Sequence, residues 1–304
     1  MITVFDKKKV AGHLLAFLTI VIWGTTFVST KILLQELTPY EVLFYRFLLG
    51  YLFLWLLHPH RGKSDSMRTE VLFALAGFSG ICLNYLFENL ALLYTQAANV
   101  SVLVSASPFL VGILARLFYK QKLKPYFIPG FILAIVGISM ICASGGSGYT
   151  LHFLGDMISL GAAFVWALYG IFSEAIHKAG DYNPIWVSRR LFFYGLLFIV
   201  PLYLRFRNPL NITVLQAPMI LGNLLYLGIG ACALSFVFWN QAIQNIGAVA
   251  ANVYVYLLPV VTILASAFIL KEEITGRIIL GTVLTLAGLV MSELNGHQGT
   301  RVCR

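Results

Sequence analysis

The stretch Asn240–Met291 occurs twice in this chain, and that duplication restricts the fold more than any other feature. Moved back by 151 positions, it lies on Asn89–Met140 without a gap. Asn89 meets Asn240, Ala97 meets Ala248, Pro108 meets Pro259 and Lys120 meets Lys271. Further on, Gly130 meets Gly281, Gly137 meets Gly288 and Met140 meets Met291, and 12 of the 52 pairs are identical. Apolar segments share some Leu and Val by accident, so the matched Asn, Pro, Lys and Gly carry the weight. The earlier part of each half matches more loosely: Gly12 with Gly155, Trp23 with Trp166, Pro39 with Pro184, Gly50 with Gly195. Two copies of one unit therefore have to build the core between them.

The solvent of that core follows from the charge content. Only 11% of the 304 residues are charged and the mean hydropathy is +0.85. Soluble domains carry about 25% charged residues, so there is too little polar surface for a water-exposed globule, and the lipid bilayer is the expected surroundings. The net charge of +9 resides in short basic clusters between apolar runs. That is the pattern of cytoplasmic loops in a membrane protein and argues against nucleic-acid binding. Cys82, Cys142, Cys232 and Cys303 form no C-x-x-C pair, so no disulfide framework, metal site or cofactor is expected. The basic start Lys7-Lys8-Lys9 resembles a signal peptide. The apolar run continues past Trp23 to Leu34 with no small-residue cleavage site, which predicts a retained first helix.

A helix needs about 20 apolar residues to cross the hydrocarbon core. On that rule the chain is an all-α integral membrane protein of ten transmembrane helices: 12–34, 41–57, 69–93, 97–119, 126–143, 154–176, 184–204, 218–244, 248–270 and 275–294. Residues 1–143 form the first repeat and 154–295 the second. A Gly/Ser-rich linker, 144–153, joins them, and 296–304 is a tail. With the N-terminus in the cytoplasm, 15 Lys and Arg fall inside and 6 outside, so both termini are expected to be cytoplasmic in a multi-pass cell-membrane protein. Five spans per half is an odd number, so the second copy is expected upside down relative to the first. The loop charges agree: Lys120, Lys122 and Lys124 stand alone, whereas Lys271 and Arg277 are balanced by Glu272 and Glu273. Inverted repeats are the architecture of many secondary transporters, with the substrate near the midplane.

The duplicated segments also carry a family resemblance. Pro259, then Lys271-Glu272-Glu273-Ile274-Thr275, Gly281 and Gly288 resemble the C-terminal signature of the EamA-type transporters of the drug/metabolite transporter superfamily. Trp23-Gly24, and Ala97-Ala98-Asn99 ahead of Pro108, are similar to that family's first repeat. The resemblance covers the whole chain. It implies ten spans in two five-span repeats and the movement of small solutes, mostly outward. It departs at Gln121-Lys122, where the first repeat usually carries a Glu after the fourth helix, as Glu273 does in the second.

Several residue groups are candidates for the substrate site. A mid-helix proline frees the carbonyl four residues back, which predicts kinks at Pro108 and Pro259. Ser101 and Ser105 precede the first, and Asn252 and Tyr256 the second, each pair at a helical i, i+4 spacing. They line a pocket, or the kinks serve packing and the polar groups bridge helices. Glu88, with Asn84 one turn before it, is a carboxylate inside a span; such a group marks a proton relay or a cation site. Otherwise it pairs with Arg46 or Lys31. Trp23 and Trp166 sit mid-span, with Tyr169 close after Trp166, and form an aromatic wall or simply pack.

The expected activity is secondary-active export of small metabolites, amino acids or drugs by alternating access, with the proton as a possible coupling ion, in a monomer or homodimer. No G-x-x-x-x-G-K-[ST] motif is present for ATP-driven transport. Import of a small choline-like solute is the alternative within the class. A membrane-embedded enzyme is the alternative outside it, and it lacks support: no H-E-x-x-H or G-x-S-x-G occurs, and all six histidines lie at span ends or in loops.

Overall fold

The computed structural model describes residues 7–59, 66–119, 125–143, 149–180, 182–209, 212–246 and 254–293. All regular structure among them is helical. The helices are α1 (Lys7–Leu33), α2 (Pro39–Leu57), α3 (Met67–Tyr94), α4 (Ala97–Val104), α5 (Ser107–Tyr119), α6 (Phe127–Cys142), α7 (Tyr149–Ala179), α8 (Pro184–Phe206), a short α9 (Ile212–Gln216), α10 (Pro218 to Ile246), α11 (Tyr254–Leu270) and α12 (Gly276–Glu293). Seven apolar helical runs are long enough to cross a membrane, and Phe127–Cys142, Tyr254–Leu270 and Gly276–Ser292 are shorter. The outward faces suit lipid: Leu56 and Phe268 are 72% and 75% exposed, which in water would be costly.

Local sequence sets the helix starts. Thr38 caps α2 with its hydroxyl on the Glu41 N–H, and Glu41 returns a bond to the Thr38 N–H at 2.7 Å. Asn183 caps α8, and Pro39 and Pro184 fill the first turns, where a missing N–H costs nothing. The two central prolines act the same way. Instead of kinking a continuous helix, the chain ends α4 at Val104, turns through Ser105 and Ala106, and restarts α5 with Pro108 in its first turn. Tyr254–Leu257 is likewise a 3₁₀ turn, and Pro259 opens the α-helical part of α11. Each proline therefore opens a helical segment, where its missing N–H is least costly. Asn252 and part of the Gly/Ser linker, 144–148, lie outside the described residues.

Packing between the two halves comes in matched pairs. α1 runs along α10 as α7 runs along α3; α2 meets the middle of α10 as α8 meets the middle of α3; α1 meets α11 as α7 meets α4 and α5. α2 also packs on α8, α4 on α11 and, most extensively, α6 on α12. Glycines permit these approaches. Gly50 faces the Gly228 backbone, and Gly77 lies against Gly195. A Cβ on Gly137 would stand 2.5 Å from the Gly281 carbonyl oxygen and 2.6 Å from the Thr285 nitrogen, and Gly130 meets Gly288 in the same manner. The middles of α3 and α10 widen into π-helical turns, Gly77–Leu83 and Tyr226–Leu234, where α8 and α2 cross them.

Gly137→Leu should therefore drive α6 off α12. Overpacking of this kind costs about 1–3 kcal/mol or more, read as an earlier thermal transition of the detergent-purified protein. Gly222→Leu, at a glycine with nothing within 4 Å of its would-be Cβ, should leave the transition in place.

Candidate functional site

Buried polar groups converge between α1, α2, α3 and α10. Arg46 of α2 is 2% exposed. Its Nε donates to Cys232 Sγ of α10 at 3.4 Å, and its guanidinium carbon stands 4.4 Å from the centre of the Tyr85 ring. Glu88 of α3, equally enclosed, accepts from Asn84 Nδ2 at 3.1 Å. No Arg46 nitrogen comes within 4.0 Å of a Glu88 oxygen, so the two buried charges attract each other without forming a contact ion pair. Asn84 Oδ1 is buried with no donor. A buried charge without a contact partner is expensive, so this place keeps unused capacity to bind a polar or charged solute. Cation–π contact with Tyr85 holds the guanidinium in part.

Trp23 closes one side. Its indole N–H donates to Ser235 Oγ at 2.7 Å and approaches the Ala231 carbonyl at 3.3 Å. Its ring lies 5.3 Å from Trp239 and 5.6 Å from Phe236. Tyr169 comes in from α7, pressed onto the bare backbone of Gly80, and packs with Trp23 around Phe47, Tyr85, Phe192 and Phe236. The site thus draws side chains from both halves.

The other expected residues are placed differently. Trp166 lies 4.8 Å from Tyr169, its aromatic neighbour among the described residues, and the two tryptophans do not meet. Ser101 and Ser105 are fully buried and turn their hydroxyls onto their own helix, to the carbonyls of Ala98 and Val102. Tyr256 packs with Phe109, Phe127 and Leu289, away from the Glu88 group. Lys31 does not pair with Glu88; it is engaged elsewhere. Arg46, Cys232 and Ser235 are absent from the sequence-based set. The signal for Arg46 was available: an arginine seven residues into α2 is too deep to reach the nearer interface easily.

At one end of the bundle Glu272 ties α1 to the start of α4. The chain leaves α11 through Lys271 in the left-handed region, φ 56°, which turns Glu272 back over the bundle. Its Oε1 accepts from Lys31 Nζ at 2.6 Å and from the Ala97 N–H at 3.0 Å, and Oε2 accepts from the Ala98 N–H at 3.5 Å. Gln96 provides no side-chain cap to α4, so Glu272 supplies the missing acceptor and sets a negative charge on the positive end of the helix. Lys31 also donates to the Thr95 carbonyl at 3.1 Å. At the opposite end, Glu70 pairs with Arg190 at 2.5 Å and accepts from Tyr194. Among the described residues, one cavity of about 250 Å³ lies beside Glu36 and Glu41, and another of about 570 Å³, apolar, lies between α5, α6 and α7. Neither is lined by Trp23, Arg46 or Glu88.

Comparison with known proteins bears on this geometry. The EamA-like transporter family model matches residues 10–143 and again 153–294. An uncharacterized transporter of Archaeoglobus fulgidus is 31% identical over 297 residues, covering 94% of this chain and 98% of its own. A probable amino-acid metabolite efflux pump of Salmonella typhimurium is 27% identical, covering 95% of this chain and 97% of its own. A solved crystal structure shares the fold with a TM-score of 0.65 at 16% identity, over 93% of this chain and 96% of that one.

Glu272→Gln should loosen the Glu272 end. Hydrogen bonds to charged groups contribute about 1.5–3 kcal/mol, so maleimide labelling of an Ala98→Cys reporter should speed up roughly tenfold or more. Glu273→Gln should leave the labelling rate unchanged.

Proposed function

The chain belongs to the EamA-like transporter family, and from that premise we propose that it is a secondary-active exporter of small metabolites, amino acids or drugs. It is a multi-pass membrane protein with several apolar helices, placed by this reading in the cell membrane with ten spans and both termini in the cytoplasm. The matched helix pairs, α1 on α10 with α7 on α3, and α2 on α10 with α8 on α3, support two inverted five-span repeats. The Lys and Arg excess of 15 to 6 makes the Glu272 end the outer one.

The observation that carries the reading is the enclosed group of Arg46, Asn84, Glu88 and Trp23 between the halves, with no contact ion pair between its charges. A zwitterionic or polar solute carries the complementary groups: a carboxylate for Arg46, an amine or hydroxyl for Glu88, an apolar part for Trp23 and Phe236. Such a solute would add hydrogen bonds to Arg46, Glu88 and Asn84 Oδ1, so its binding favours the enclosed state. Alternating access then needs the Glu272 latch to open once the opposite end has closed. The likeness to the probable amino-acid metabolite efflux pump of Salmonella typhimurium supports the same solute class and direction. The proton is the coupling ion in this proposal, and the working unit is a monomer or homodimer.

Untargeted metabolite profiling of cells and medium, at equal membrane abundance, tests the reading. A solute class should accumulate in the medium with the parent protein. Arg46→Gln and Glu88→Gln should each cut that export roughly tenfold or more, the loss of a bond to a charged group, while Tyr256→Phe should not. Equal export by all four proteins would remove the site, and accumulation inside the cell would reverse the direction.

A further inference from the structure

A second buried carboxylate lies outside the Glu88 group. Asp156, near the start of α7, is 0% exposed. Its Oδ1 accepts from the Thr95 hydroxyl at 2.9 Å, while Oδ2 is buried with no donor. Asn99 of α4 stands beside it, donating from Nδ2 to Thr95 Oγ1 at 3.2 Å, and Asn99 Oδ1 is also buried with no donor. Gln96 Oε1, one turn earlier on the chain, is a third such acceptor. Three acceptors of this neighbourhood thus have no donor, and one belongs to a fully buried carboxylate. The nearby donors are spoken for or weak: the Asn99 amide turns to Thr95, the Thr95 hydroxyl to Oδ1, and the Cys142 thiol is a poor donor.

We propose that Asp156 is a proton-binding site, and that its occupancy is linked to closure of the Glu272 end. A single proton on Oδ2 removes the buried charge and turns an orphaned acceptor into a donor. The link runs through Thr95, whose hydroxyl holds Asp156 and whose carbonyl accepts from Lys31. Lys31 in turn holds Glu272, which holds the N–H groups of Ala97 and Ala98. The titratable and charged groups facing Asp156 are Cys142 from α6 and His152 from α7, with Lys31 of α1 and Glu272 beyond Thr95. The linkage to transport rests on the exporter reading; proton binding at Asp156 does not. The equivalent position in the first half is His13, which bonds Tyr254, so the device exists at one end only.

The test is pH-difference infrared spectroscopy of the full chain in liposomes, which needs no substrate. A carboxylic-acid carbonyl band should be present, vanish in Asp156→Asn, and persist in Glu88→Gln. Asn99→Leu, which removes the expected acceptor, should shift that band. In parallel, labelling of Ala98→Cys should change several-fold with pH in the parent and be flat with pH in Asp156→Asn. A band unaffected by Asp156→Asn overturns proton binding at this site. A labelling profile that keeps its pH dependence in Asp156→Asn overturns the link to closure. Loss of export in the profiling assay, with these signals intact, would instead count against the transport reading alone.

Discussion

Backbone-to-backbone contact between the two halves, permitted by glycine, is what the remaining structure depends on. In a bilayer the lipid tails are as apolar as Leu, so helices do not associate to escape solvent; they need close van der Waals fit. Gly130 and Gly137 of α6 supply it against Gly288 and Gly281 of α12. The same device recurs where Gly12 and Gly24 let α1 approach α10 and α11, and where Gly50 and Gly77 meet Gly228 and Gly195. These seams bring α1, α2, α3 and α10 close enough for Arg46 and Glu88 to be buried beside the aromatic cluster on which Trp23 packs.

The seams and the latch differ in kind. α6 against α12 is dense and held by contacts that no solute can replace. Glu272 holds Lys31 and the start of α4 through charged hydrogen bonds, which bonds to water can replace. A rigid seam beside a releasable end is the arrangement that alternating access requires. The Arg46–Tyr85 contact and the Asn84–Glu88 bond fix the orientation of the central group.

Much of this was legible in the sequence, because helices in lipid must be long, apolar and bounded. Several helices keep close to the expected spans, among them α2 at Pro39–Leu57, α8 at Pro184–Phe206 and α12 at Gly276–Glu293, whereas the expected span 97–119 is divided into α4 and α5. Asn84 and Glu88 could be joined from their one-turn spacing alone, and they are. What failed to show was anything set by tertiary approach. Lys31 and Arg46 were both open as partners for Glu88, and neither pairs with it. Two prolines read as kinks are helix starts, since a turn at Ser105–Ala106 precedes the first and a 3₁₀ turn the second. Ser101 and Ser105 read as pocket groups, yet a buried helical serine has its own carbonyls within reach. Asp156 stands two residues inside an expected span, and only the fold around Thr95 and Asn99 encloses it.

The central claim is that two halves move about the α6–α12 seam, opening the Glu272 end and the opposite end in turn. Distances between paired spin labels test it most directly. One pair belongs at the Glu272 end on Gln35 and Thr275, a second at the other end on Val10 and Ala179, and a third across the seam on Ile132 and Val283. The account predicts that conditions releasing the latch lengthen the first distance and shorten the second, with the third unchanged. Ends that lengthen together, or a seam that opens with them, would contradict it.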